Sequence, residues 1–137
     1  MDSTQEQHSH LQLLIEDLRT TQEPQGRGYL RQGTEDASAW CCLGRACEVY
    51  RNVTGLGVWQ ITHNGKWLFA TETDPDGVHG VMPLDVTEFF GVGDRNPFVL
   101  GSDGDGGSER SAAGMNDGGA TFSEIADAFE KTYLRTS

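Results

Sequence analysis

Apolar residues recur along this chain in two periods, one helical and one alternating. Leu11, Leu14, Ile15 and Leu18 are spaced i, i+3, i+4 and i+7, which predicts a helix over roughly residues 9–20 with one apolar stripe. Ser9 and Gln12 have the spacing of a capping box, and Ser3 with Glu6 offers an earlier start, so residues 1–8 are expected to fray. Pro24 closes this region. A second helix is predicted over roughly residues 40–53, capped by Ser38. Leu43, Ala46, Cys47, Tyr50 and Val53 share its apolar face, and Arg45, Glu48 and Arg51 fall on the wetter side. Gly44 inside that helix costs about 1 kcal/mol relative to alanine. Such a glycine marks close approach of another backbone.

The alternating period follows. Residues 58–62 and 66–70 are β-rich runs flanking His63 and the pair Asn64-Gly65, which predicts a hairpin with a two-residue type I′ turn. That register pairs His63 with Lys66 and Ile61 with Leu68. It puts Trp59, Ile61 and Leu68 on one face and Val58, Trp67 and Phe69 on the other. Residues 71–81 read as a turn-rich loop, and Pro83 opens a short helix from Leu84 to Phe90 stopped by Gly91. Residues 101–120 are rich in glycine and serine, with a mobile loop expected over 101–114. A last helix runs from Phe122 to about Leu134. Thr121 and Glu124 form its capping box, and Phe122, Ile125, Ala126, Phe129 and Tyr133 its buried stripe. The expected fold is α+β, with three to four helices packed on a small antiparallel hairpin or sheet, in one domain over residues 1–137.

Charge and cysteine usage narrow the setting. The formal net charge of -11 opposes broad binding to a nucleic-acid backbone or an anionic membrane. Three cysteines close in sequence, Cys41, Cys42 and Cys47, make a disulfide scaffold improbable and suit a reducing cytoplasm. The first six residues lack the basic and apolar regions of a signal peptide, and no apolar run reaches membrane-spanning length.

Four blocks stand in fixed order: Gln25-Gly26-x-Gly28-x-Leu30, Cys41-Cys42-Leu43-Gly44-x-x-Cys47, Pro83-x-x-Val86 ending at Gly91, and Asn116-Asp117-x-Gly119-x-Thr121-Phe122-x-x-Ile125-Ala126. Together they resemble a group of small, uncharacterised proteins encoded by tailed bacteriophages and prophages. The resemblance covers most of residues 25–130. The chain departs from the group at Met82 and Met115, where leucine is usual, and at Phe89-Phe90, where a tryptophan is common. Its glycine-rich loop is also longer. The resemblance implies expression inside an infected bacterium and brings no catalytic residues with it.

Candidate chemistry is sparse. Cys41 or Cys42 near a helix N-terminus, with His63 or His79 as base, outlines a cysteine hydrolase, but free cysteines usually pack as small hydrophobes. Adjacent cysteines followed by a third five positions on do not converge easily on zinc, and the acids around Asp74 and Asp103 fail the calcium-loop pattern. No metal or cofactor is expected. Asn116 and Asp117 could read a base or sugar edge while backbone amides at the following helix start hold a phosphate. Arg27, Arg31 and Arg45 would have to converge there. Trp59, Trp67 and Phe69 could anchor a partner if exposed. The expectation is a non-enzymatic binding protein of phage origin, acting in the host cytoplasm in counter-defence or host takeover. It would sequester a nucleotide-like ligand through Arg27, Arg45, Asn116 and Asp117, or block a host protein through Trp59, Trp67 and Phe69. A homo-oligomer is compatible with either. The alternative is a small cysteine-dependent hydrolase using Cys41, Cys42 and His79.

Overall fold

The structure, a computed structural model, describes residues 3–62, 64, 66–100 and 109–134. It is an α+β fold. Helix α1 (Ser3–Thr20) is followed by strands β1 (Arg31–Gly33) and β2 (Ser38–Trp40), helix α2 (Cys42–Thr54), strands β3 (Val58–Ile61) and β4 (Trp67–Ala70), and helix α3 (Leu84–Phe90). Then come β5 (Phe98–Leu100), β6 (Glu109–Ser111), α4 (Ala112–Asp117) and α5 (Phe122–Phe129), which runs into a π-helical turn at Glu130–Leu134. The strands pair as three antiparallel hairpins, β1–β2, β3–β4 and β5–β6.

The helical periods define the core. Leu11, Leu14, Ile15 and Leu18 are all buried, and α1 packs on α2, α3 and α5. Burying four such side chains contributes roughly 1.5–3 kcal/mol each. The helix begins at Ser3, so most of the expected fraying segment is helical. The α5 stripe is buried from Phe122 to Phe129, and both halves of the Thr121–Glu124 capping box form. Helix α3 runs from Leu84 to Phe90, and Gly91 ends it at φ +70.

Gly44 also behaves as its position implies. A Cβ there would press into the carbonyl oxygen of Leu30 and lie 2.7 Å from its carbonyl carbon. The same Leu30 oxygen accepts from the Cys41 amide at 3.1 Å. The chain entering β1 therefore lies directly on the first turn of α2. Two details of α2 differ from expectation. Ser38 does not cap it: Ser38 is buried in β2, and Cys41 stands at the N-cap with no side-chain cap bond. Val53 is half exposed, because α2 outruns the core by its last turn.

The β3–β4 hairpin forms one register away from the sequence reading. Ile61 pairs with Trp67, Gln60 with Leu68 and Trp59 with Phe69. Because side chains alternate, a one-residue shift moves a strand's set to the opposite face. Trp59, Ile61, Trp67 and Phe69 now share one face, and Trp67 and Phe69 are buried. Collecting the aromatics on the core side outweighs the Asn-Gly turn preference. The expected His63–Lys66 pair and the Asn64-Gly65 turn involve His63 and Gly65, which lie outside the described residues.

The glycine-rich region divides. Residues 101–108 of the expected loop lie outside the described residues. Residues 109–114 instead belong to β6 and α4, which Ser111 caps by accepting from the Gly114 amide. Four short strands, β1, β2, β5 and β6, had no periodic signal, since three residues are too few to show one.

Candidate functional site

The expected pocket around the Asn116-Asp117 turn is a structural joint. Asn116 is fully buried. Its Oδ1 accepts from Gln25 Nε2 at 2.9 Å and from the Cys42 amide at 3.2 Å, and its Nδ2 donates to the Gly26 carbonyl at 2.7 Å. Asp117 accepts from the Gly28 amide at 2.8 Å. These bonds pin the loop before β1 to α4 and occupy the polar atoms a ligand would need. The start of α5 is likewise filled by the Glu124 carboxylate, which accepts from the Thr121 amide at 2.8 Å and would repel an anion. Arg27 is exposed beside this turn.

Arg45 is not on a wet face. It is buried and forms a two-pronged pair with Asp17 of α1, Nε to Oδ2 at 2.9 Å and Nη2 to Oδ1 at 2.7 Å. Its charge is spent holding α1 to α2. Arg27, Arg31 and Arg45 therefore do not form the expected cluster.

The cysteines are free and buried. Burial pushes the Cys41 thiol up to about 11 and raises Cys42 and Cys47 well above their ordinary value. This is the reverse of what a nucleophile needs. The exposed His79 ring lies 5.7 Å from that of Tyr29, and among the described residues no hydrogen bond joins it to a thiol. Trp67 and Phe69 are core residues, so they cannot serve as exposed partner anchors; Trp59 is half-buried.

A different site emerges where β1, β2 and the β3–β4 hairpin meet. The Arg31 guanidinium lies 3.8 Å from the centre of the Trp67 ring, 4.6 Å from Trp40 and 5.5 Å from Trp59. Each indole is itself held in place. Trp40 Nε1 donates to Glu23, Trp59 Nε1 to Glu48 at 2.9 Å, and Trp67 Nε1 to the Gly33 carbonyl. Arg31 Nε donates to Ser38 Oγ at 2.8 Å, and that hydroxyl donates onward to the Thr34 carbonyl. Ser38, expected as a helix cap, is the residue that aims Arg31.

Arg31 is only 9% exposed, yet among the described residues no carboxylate lies within ion-pair distance and no protein group bonds its two terminal nitrogens, which reach solvent. Burial draws its pKa below the ordinary arginine value, with nearby Glu48 and Glu35 working the other way. Arg31 borders a cleft of about 340 Å³ whose walls include Trp59, Trp67, Arg51, Glu48 and Glu35. Glu48 is already engaged by Trp59 and lies 3.7 Å from Arg51. The cleft thus offers a fixed, incompletely solvated cation beside a half-exposed indole. Sequence periodicity could not find it, because Arg31 and Trp40 sit in short strands with no period. The one available signal was an arginine beside a core leucine in a chain with three tryptophans.

The chain matches no family model, no curated protein and no solved structure. Among the described residues no helix is long and apolar enough to cross a membrane.

Proposed function

We propose that this protein is a non-enzymatic binder that captures a small, nucleotide-like ligand carrying an anionic group and a planar ring. The observation that carries the reading is Arg31. Arg31 is nine-tenths buried, and among the described residues no carboxylate pairs with its terminal N–H donors, which open to solvent. A carboxylate or phosphate oxygen would complete them with charge-assisted bonds. The three indoles hold the guanidinium in one orientation, so little further ordering is needed on binding. Trp59 offers a ring surface beside it for stacking. Arg51 adds a second positive group on the wall, and the overall negative charge makes capture a local event that long-range steering does not assist. The buried, poorly ionising thiols favour binding over cysteine-dependent hydrolysis. The resemblance to phage proteins suggests sequestration of a signalling nucleotide in an infected host, in counter-defence or host takeover. Blockade of a host protein through Trp67 and Phe69 is disfavoured because both are buried.

Titration calorimetry with linear and cyclic nucleotides tests this. Wild type should give heat with at least one, and Arg31→Met should weaken that binding about tenfold or more, as expected for losing a bond worth about 1.5–3 kcal/mol. Arg27→Ala should bind like wild type. Absence of heat with every nucleotide, or equal heat from a folded Arg31→Met, would discard the reading.

A further inference from the structure

We infer that the outer edge of β3 is a docking site for an extended segment of another protein, one with apolar side chains at alternate positions and a basic residue among them. The inference rests on the strand's hydrogen-bond pattern and is independent of Arg31. Thr62 donates to Lys66 at 2.8 Å, and Phe69 exchanges bonds with Val78 on the far side of β4. In an antiparallel ladder these bonds alternate. Val58 and Gln60 therefore bond to β4, while the N–H and C=O of Trp59 and Ile61 point outward. No described residue pairs with them.

Edges of this kind are normally blunted by lysine, proline, a bulge or a covering element. The edge Val58-Trp59-Gln60-Ile61 has no lysine, proline or bulge, and its ladder with β4 is regular. Val58 and Ile61 are instead 56% and 52% exposed, and neighbouring Leu56 is 59% exposed. On the face that carries Val58 and Gln60 lies a cleft of about 510 Å³, whose walls include Tyr50, Leu56, Val58, Ala70 and Pro75. A strand added at this edge would turn every second side chain to the face on which that cleft opens, and an edge bound in this way gains affinity from its backbone and specificity from the pockets its side chains meet.

Charge selects the occupant. Glu72 and Asp85 also border the cleft, and the chain carries -11 overall. A basic segment is attracted, whereas a second copy of this chain brings the same negative charge.

The test is selection of linear peptides from a random displayed library on the full-length protein. Enriched peptides should alternate apolar residues, carry lysine or arginine, and bind more weakly as salt rises. Ile61→Pro removes one outward N–H and no ladder bond, a position where edge proline is tolerated. It should weaken peptide binding at least tenfold. On wild type, bound peptide should slow hydrogen exchange at the Trp59 and Ile61 amides, which guards against a variant that merely misfolds. Three results would overturn the inference: no enrichment; peptides that bind without protecting those two amides; or a wild-type dimer by light scattering that Ile61→Pro converts to monomer, since the occupant is then a second copy.

Discussion

Arg45 and Arg31 both lie against the same indole, their guanidinium carbons 4.9 and 4.6 Å from the centre of the Trp40 ring. Both are buried. On the helical side, Arg45 meets the Asp17 carboxylate with two hydrogen bonds and is electrically complete. On the hairpin side, Arg31 meets, among the described residues, the Ser38 hydroxyl and three aromatic faces but no paired carboxylate. A buried cation with its counter-ion ties two elements together. A buried cation without one keeps binding capacity, at some cost in stability. The dry helical half and the open aromatic corner thus use the same residue type for opposite purposes.

The largest way to break this comparison is at the contact both arginines share. Leu30 precedes Arg31 and Gly44 precedes Arg45, and the two backbones touch. Gly44→Ala should destabilise by about 3 kcal/mol or more, since the obstacle is backbone that cannot rotate aside. Urea denaturation measures it, and a neutral result would mean that the close approach does not exist.

Next in size is alkaline pH, which probes the dry half. Cys41 has its pKa raised from 9.0 to about 11 by burial. The unfolded chain then loses this proton before the folded one does. Stability is full below pH 9.0 and falls as pH rises towards 11, by roughly 2–3 kcal/mol from Cys41 alone. Cys42 and Cys47 shift in the same direction. Denaturation midpoints at pH 8 and pH 10 should differ accordingly, and all three thiols should resist labelling in the folded protein. Rapid labelling of Cys47 would show that the helical half is not dry.

The arginines themselves come third. Arg45→Met leaves Asp17 partly buried and unpaired, and should cost about 1–3 kcal/mol. Arg31→Met should change stability by less than about 1 kcal/mol, because lost cation–π attraction is offset by removal of a desolvated charge. Equal costs for the two, from thermal or chemical unfolding, would erase the distinction between joint and site.

The smallest effect sharpens the open side. Glu48→Gln keeps an acceptor for Trp59 Nε1 but removes a negative charge from the wall of the Arg31 cleft. Affinity for the anionic ligand should rise a few-fold, about 0.5–1 kcal/mol, with an unfolding midpoint close to that of wild type. Weaker binding would show that Glu48 contacts the ligand directly.

Much of the helical half was legible before any tertiary structure. Leu11, Leu14, Ile15 and Leu18 declare a buried stripe because a helix repeats often enough for its period to be read. Thr121 with Glu124, and Pro83 with Gly91, declare helix ends because capping is local chemistry. Gly44 declares a close approach because a helix interior otherwise disfavours glycine. The hairpin was legible as a hairpin, but its register was not. The turn dipeptide argued for one pairing, and burial of Trp67 and Phe69 on one face decided another.

The sequence by itself thus determined the α+β class, the stripes of α1 and α5, the caps of α3 and α5, and the acidic charge. Each of these depends on neighbours within a few residues or on a simple count. Only the tertiary structure decided the fate of the polar groups. Asn116 became a buried joint and Arg45 the partner of Asp17. Ser38 came to aim Arg31, and Arg31 came to lie among three indoles with no carboxylate of the described residues at ion-pair distance. Asp17 and Arg45 are 28 residues apart, and Gln25 and Asn116 are 91 apart. Pairings at that separation leave no period and no spacing in the chain. They exist only once the packing of α1, α2 and the hairpins has set which polar groups lose water together.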